Sequence, residues 1–445
     1  MTNPCPTEAE GAGKRPLDAK SSGTPPASRR ADGEDDRPST SAATEPRSAW
    51  QLVFDRAYGP FFASKLVTST AIWLTNVVSA ILMYELTRSA IMVGAVSMAQ
   101  FLPQTLLAPW AGALSDRHPR RAVLGASKLL TSGSLLTLAA LIRFDGVEAL
   151  AGGLLILVAT AIIGVGLALA NPAMQAIIPS LVSARDLPVA VALNSTTAAI
   201  ARAVGPALGA LLYAGLGPAA GYTVAAAGHV LFVITVLWII HIPSVDAATE
   251  RSVWAGLRYA WSHREMRALL LGVAVIGIVV DPVITLTPPL ADALGASEVL
   301  VGVMASAFGI GSFLSITVFA AIRRRVGIAG VGATGFFLLA SGNAVLVVIA
   351  SPALSVLGMF IAGTGFLLAT SSLTTRIQLI VPEQLRGRVM ALWGVAFLGT
   401  RPFAAAVNGL VADVASLHVG FGLTAALALG AAVTLVRHTA RTSTS

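Results

Sequence analysis

From Phe61 onward the chain alternates apolar stretches of about 20 residues with short polar joints. A helix rises ~1.5 Å per residue, so ~20 residues cross a ~30 Å hydrocarbon layer. Twelve such runs follow one another, at about 61–84, 92–114, 122–142, 149–170, 189–214, 219–242, 267–290, 299–322, 328–350, 353–375, 386–411 and 417–436. Pro103, Pro206, Gly309 and Gly311 fall inside runs, where neighbouring helices re-satisfy the freed backbone groups. Leu154 to Leu169 is apolar throughout and lacks the two-residue alternation of a membrane barrel strand. The pattern predicts an all-α integral membrane protein of twelve transmembrane helices.

Composition agrees. Of 445 residues, 55% are hydrophobic and 12% charged, half the ~25% charge of soluble domains. This excludes a soluble enzyme, a disordered regulator and a disulfide scaffold. Cys5 is the single cysteine, so no internal disulfide or thiolate metal cluster can form. Residues 1–48 hold no Val, Ile, Phe, Tyr or Trp but seven Pro, seven Lys/Arg and eight Asp/Glu. Such a segment cannot bury enough apolar surface to offset chain entropy, and it reads as a disordered cytoplasmic tail.

The net charge of +8 points to membrane topology rather than nucleic acid, because the basic residues recur between apolar runs. The odd-to-even joints hold two, Arg88 and Arg143. The even-to-odd joints hold thirteen: Arg117, Arg120, Arg121, Arg185, Arg251, Arg258, Arg264, Arg267, Arg323, Arg324, Arg325, Arg386 and Arg388. The positive-inside rule puts both termini in the cytoplasm. In the longest joint, 243–266, Trp254, Leu257 and Trp261 share one helical face, as in an interfacial helix.

The halves of the chain repeat. Val93-Gly94 matches Val301-Gly302, Gln175-Ala-Ile-Ile-Pro179 matches Gln378-Leu-Ile-Val-Pro382, and Arg202 falls on Arg401 after a four-residue gap. Each arginine lies in an apolar run with a proline close behind (Pro206, Pro402). The expected organisation is a tail at 1–48, a six-helix half at 55–242, a linker at 243–266, a second six-helix half at 267–436 and a short tail at 437–445. Parallel six-span repeats with a midplane site between them describe secondary transporters.

Gly112-Ala-Leu-Ser-Asp116-Arg117-His-Pro-Arg120-Arg121 resembles the signature loop of the major facilitator superfamily. Phe101 through Arg121, Asn171 through Pro179 and Ala201-Arg202-Ala-Val-Gly205-Pro206-Ala-Leu-Gly209 are similar to its drug, macrolide and siderophore (enterobactin-exporter-like) efflux branch. The resemblance spans about 55–436 and implies two pseudo-symmetric six-helix halves and gradient-driven efflux. The second-half copy of the loop has Ala320 and Arg324 where the signature has a glycine and an acid. The fourth helix lacks the arginine that many drug/proton antiporters carry. In physical terms, Asp116, with Arg117, Arg120 and Arg121, suits a latch against a helix terminus of the other half. Gly112 permits close helix approach, and Gly205 and Gly209, with Pro206 between them, form a small-residue packing face.

Charge inside a bilayer costs ~2.5–3.5 kcal/mol on insertion scales, so Arg202, Asp281 and Arg401 are the leading site candidates. Asp281, followed by Pro282, can exchange a proton as coupling requires, or pair with an arginine as structural glue. The arginines suit an anionic substrate group, Asp281, or backbone carbonyls. Asn76, Gln104, Gln175, Asn194 and Trp393 can line a cavity, with Gln100, Asn171, Thr285, Asn343, Gln378 and Asn408 beside them. Few polar groups among apolar walls suit an amphipathic solute. Lys65, Lys128 and Arg376 are expected to snorkel to span ends, and His229 to pack.

No P-loop, His-Glu-x-x-His helix or Gly-x-Ser-x-Gly elbow occurs. The reading is therefore not an enzyme but a secondary-active, proton-coupled exporter of an amphipathic small molecule working by alternating access. The alternatives are an importer of a small organic solute or a transporter-like sensor. Neither cofactor nor metal is expected. The partners are the lipid bilayer, a small-molecule substrate and a proton or cation gradient, with no nucleic acid, for a monomer. Arginine outnumbers lysine 26 to 4, which with abundant alanine suggests a GC-rich bacterial genome and the inner membrane.

Overall fold

The computed structural model describes residues 47–239, 253–348 and 351–442. Residues 1–46 of the expected tail, the end of the sixth run at 240–242 and the 243–252 part of the linker lie outside the described residues, as do the side chains of Gly112, Asp116, Arg117 and Trp254. Arg47 and Ser48, read from sequence as the end of the tail, belong to the folded body. Ser48 caps a short helix, Ala49–Val53, and Arg47 binds Asp186.

Eleven helices among the described residues are long and apolar enough to cross a bilayer. The longest, Val299–Val348, has 50 residues, more than twice the ~20 that a crossing needs. Gly327 breaks it at φ 68°, ψ 175°, a conformation open to glycine. It therefore makes two passes, 299–326 and 328–348, and the total is twelve.

In chain order the first six spans are Tyr58–Thr87, Ala90–Arg117, Arg120–Asp145, Leu154–Leu181, Leu187–Leu216 and Pro218–Ile234. The seventh is Arg264–Val279 with two short continuations, Pro282–Thr285 and Thr287–Ala293. Spans eight and nine share the broken helix, and the tenth is Pro352–Ile380. The eleventh is Glu383–Leu398 followed by Arg401–Val414, and the twelfth is Leu417–Thr442.

Local sequence explains the ends. Ser89 accepts from Met92 N and Ser351 from Leu354 N, each satisfying an orphan donor at a helix start. Gly146 and Gly217, with φ near 80°, close the third and fifth spans. The fourth span starts at Leu154, later than its apolar run suggests. Ala151, Gly152 and Gly153 all take positive φ and form a tight turn before it.

The seventh and eleventh runs were expected as single helices, and both are interrupted. Pro282 and Pro402 lack the amide a continuous helix uses; Pro282 opens a new segment directly after Asp281, and Pro402 is the second residue of the segment that Arg401 opens. Discontinuous helices at a repeat interface are where transporters build sites. The sixth span ends in one wide turn, Thr235–Ile239.

Small residues bring the spans together, as expected where lipid supplies no hydrophobic drive between helices. A side chain on Gly342 would fall 2.5 Å from the Gly358 carbonyl, joining spans nine and ten. A Cβ on Gly409 would fall 2.6 Å from the Ala90 carbonyl, joining eleven and two. One on Gly302 would fall 2.7 Å from the Pro206 carbonyl, joining eight and five. The linker helix Val253–Ser262 leaves Trp261 70% exposed, with Leu257 one turn earlier also exposed. Tyr259 of that helix donates to the Ile380 carbonyl at 3.3 Å.

Candidate functional site

The seam between the first six spans and the last six is built from the second span against the eleventh and the fifth against the eighth. In the fifth span, Pro206 removes the hydrogen bond to the Arg202 carbonyl. The next amide, Ala207 N–H, donates across the seam to Ser306 Oγ at 2.9 Å. A Cβ on Gly205 would lie 2.6 Å from Trp73 Cβ, and one on Gly209 2.9 Å from the Leu74 carbonyl. The face carrying Gly205 and Gly209 thus packs on the first span, and the Pro206 carbonyl faces the eighth.

Asp281 sits at the break in the seventh span and is 0% exposed. Asn408 Nδ2 of the eleventh span donates to its Oδ2 at 3.0 Å, and Oδ1 has no hydrogen-bond partner. Arg401, at the other break, is 7% exposed. Its Cζ stands 4.0 Å from the centre of the Phe101 ring and 6.0 Å from that of Phe397. Arg202 is held in the same manner, 5.2 Å from Trp73 and 4.9 Å from Phe366. Nε of both arginines lacks a hydrogen-bond partner. The repeat register that paired the two arginines in sequence therefore pairs two side chains in like aromatic settings.

The other candidates divide. Asn76 accepts from Gln100 Nε2 at 2.9 Å, and Gln104 turns to the Gln100 carbonyl at 3.0 Å, so these three tie the first and second spans. Asn76 also lines a narrow cleft with Trp73, Ile284, Thr287 and Val301, with room for roughly one water. Trp393 stacks on Phe397 at 5.3 Å and leaves Nε1 unpaired. Asn194 is half-buried with Oδ1 unpaired. Gln175, Asn171 and Gln378 are exposed. Asn343 binds Thr424 across spans nine and twelve. Of the loop residues, Gly112, Asp116 and Arg117 have side chains outside the described residues, and Arg121 is exposed.

Two sequence expectations are corrected. Lys128 does not snorkel. It is 1% exposed, its Nζ 5.9 Å from the Phe232 ring of the sixth span. Arg376 pairs with Glu265 at 2.8 Å rather than reaching for solvent. The aromatic clamps, from four different spans, went unrecognised. Only Phe397, one helical turn before Arg401, carried a readable spacing.

The seam has unequal ends. At one, Asp413 accepts from Ser89 Oγ at 2.5 Å, Ala90 N at 2.7 Å and Ile91 N at 2.9 Å, capping the second span from the other half. Arg88 pairs with Asp292 at 2.9 Å, and Tyr84 donates to the same carboxylate at 3.2 Å. Tyr213 donates to Glu85 close by. At the other end, Glu383–Leu398 buries only Val389, and Gly387 and Gly394 have open space beside them. Arg47 binds Asp186 and Asp55 at that side of the first and fifth spans. The Arg47 amide, the Ser183 hydroxyl and the Arg47 guanidinium hold the Asp186 carboxyl below its usual range. Partial burial opposes the same shift at Asp55, but the Tyr58 and Ala57 amides and Arg47 outweigh it.

The comparisons with known proteins agree with this architecture. Over 250 residues the chain is 28% identical to macrolide efflux protein A of Streptococcus pyogenes, covering 54% of this chain and 58% of that protein. Over 338 residues it is 27% identical to the enterobactin exporter EntS of Salmonella choleraesuis, covering 70% and 76%. Among solved structures, a bacterial homologue of the iron transporter ferroportin in its inward-facing state superposes with a TM-score of 0.66 at 18% identity, over 88% of this chain and 99% of that one. The nucleoside transporter NupG superposes at 0.67 with 13% identity, over 85% and 98%. These structures establish the fold. The model of the transmembrane secretion effector family matches residues 48–444, and the chain belongs to that family of major facilitator transporters.

Proposed function

We propose that the chain exports an amphipathic small molecule across a bacterial inner membrane by alternating access, with both termini in the cytoplasm, as a monomer driven by an ion gradient. Asp281 is the group that takes up and releases a proton in each cycle. One observation carries this reading. Asp281 is fully buried where both broken spans meet, with one oxygen held by Asn408 and the other unpartnered. A carboxyl so placed has no fixed counter-charge in contact and can change protonation state when the seam opens. The two helix breaks supply the local give, because their backbones lack the bonds that a proline removes. Gly112, Asp116, Arg117, Arg120 and Arg121 serve as the gate of the basic end. The relatives' names, macrolide efflux protein and enterobactin exporter, support efflux.

The test is accumulation of labelled drugs and siderophores in a pump-depleted host, with and without collapse of the pH gradient. The native chain lowers accumulation, and collapse restores it. Asp281→Asn cuts efflux at least tenfold and flattens its pH profile. An unchanged profile removes Asp281 from coupling.

A further inference from the structure

The chemistry of the seam narrows the substrate further. Arg202 and Arg401 lie on the two sides of the seam, bridged by Phe366 and Phe397, whose rings stand 6.2 Å apart. Each is oriented by two aromatic rings. A ring orients a guanidinium and returns ~0.5–2 kcal/mol, but it does not neutralise the charge. Removing an ion from water costs several kcal/mol. Buried charges in proteins are normally paired. Here the described residues put no carboxylate in ion-pair contact with either arginine, and the Nε of each remains without a partner. Arg401 is more than nine-tenths buried in this condition.

The nearest acid does not complete the balance. Asp281 is bonded to Asn408, on the segment that Arg401 opens, rather than to either arginine. With Asp281 ionised, the group of three still sums to one positive charge; with Asp281 protonated, to two. Around these cations stand Trp73, Phe101, Phe366, Phe397 and Trp393, flat apolar surfaces among which Trp393 Nε1 is buried and unpaired.

We infer that the transported molecule is an amphipathic anion, a compact carboxylate-class group on an apolar or aromatic body, recognised by Arg202 and Arg401. A guanidinium presents a planar fork that matches a carboxylate, sulfonate or phosphate in two parallel hydrogen bonds. The unpaired Nε atoms are donors of that kind. A protonated amine meets the opposite situation: it gains no acceptor from the arginines and is repelled at low dielectric. The inference rests on the seam being the transport path, and it excludes basic amphiphiles as preferred cargo.

The experiment uses the full chain in lipid nanodiscs and three matched probes: naphthalene-1-acetate, its neutral amide, and 2-(naphthalen-1-yl)ethylamine. Binding is read from quenching of tryptophan fluorescence. The native protein binds the carboxylate at least ten times more tightly than the amide, and the amine more weakly still. Arg202→Gln loses at least tenfold for the carboxylate and less than twofold for the amide, while Arg202→Lys, which keeps the charge but not the planar fork, retains only part of the preference. Equal or tighter binding of the amine, no preference for the carboxylate, or an equal loss of all probes in Arg202→Gln overturns the anion site. Should Arg202→Gln fail to fold, the ranking by the native protein decides alone. Flux of the same probes in proteoliposomes separates the two readings. Movement of only the amide or amine leaves export standing and removes the anion preference. Carboxylate binding that depends on Arg202 without movement of any probe leaves the anion site and removes transport.

Discussion

The two ends of the seam are made of the same helices and differ in almost everything else. Where the second span begins and the eleventh ends, backbones touch at Gly94 and Ala405 and at Gly409 and Ala90. Asp413 then ties both together with three hydrogen bonds. Where the eleventh span begins, a segment of 16 residues buries one of them. Its remaining side chains are partly or fully exposed. The difference teaches that this seam closes by backbone approach plus directed polar bonds, and that the same helix can supply a shut and an open end. Between them lie the breaks at Asp281 and Arg401, where the change of character takes place.

The comparison is most severely strained by filling its glycines. Gly409→Leu places a side chain against the Ala90 backbone, and overpacking of this kind costs ~1–3 kcal/mol. It lowers the melting temperature and cuts efflux at least tenfold. Gly394→Leu, in open space at the other end, leaves melting unchanged but slows transport, because that end must close in its turn. Thermal unfolding and efflux measured on both variants check the contrast, and equal melting losses break it.

A smaller effect follows from Asp413→Ala, which removes a cap worth ~1 kcal/mol. In a Cys5→Ser background, a cysteine placed at Pro289, beside Asp413 and Tyr84, then reacts several-fold faster with a water-soluble maleimide. Smaller again is Arg88→Gln. The pair with Asp292 is 64% and 51% exposed on its two sides, so its loss costs under ~1 kcal/mol and disappears at high salt. The same labelling assay, run in low and high salt, measures it.

The smallest effect belongs to the Arg47 cluster at the opposite side. Asp186 and Asp55 are held below their usual range, so the folded state favours their ionised forms. Their contribution is complete above the normal carboxylate range and disappears as pH falls through that range and below it. Asp186→Asn therefore lowers the melting temperature slightly at neutral pH and makes it less sensitive to acid. Melting curves between neutral pH and pH ~3 test the sign.

Much of this was legible beforehand. The twelve passes follow from the length and apolarity of each run, because a bilayer accepts only helices that satisfy their own backbones. Asp281 and Arg401 stood out as charges at apolar positions, each followed by a proline, but the sequence alone suggests helices that run on through Pro282 and Pro402. What the chain did not reveal depends on neighbours distant in sequence. Lys128 lies close enough to a span end to suggest snorkelling, yet it is buried against the sixth span. Asp413 reads as a solvated joint acid until the second span arrives beside it. Trp73, Phe101 and Phe366 look like ordinary lipid or core aromatics, since nothing local associates them with an arginine. Single-residue chemistry was visible, whereas its partners required the packed bundle.

Gly327 joins spans eight and nine with no intervening loop. Such a joint has no slack. The eighth span carries Gly309 against the Arg202 backbone, while the ninth is sewn to the tenth through Gly342 and Gly358. In the proposed export cycle, a tilt that exposes Arg202 would therefore drag three helices as one lever, a swinging block rather than a yielding strip of chain.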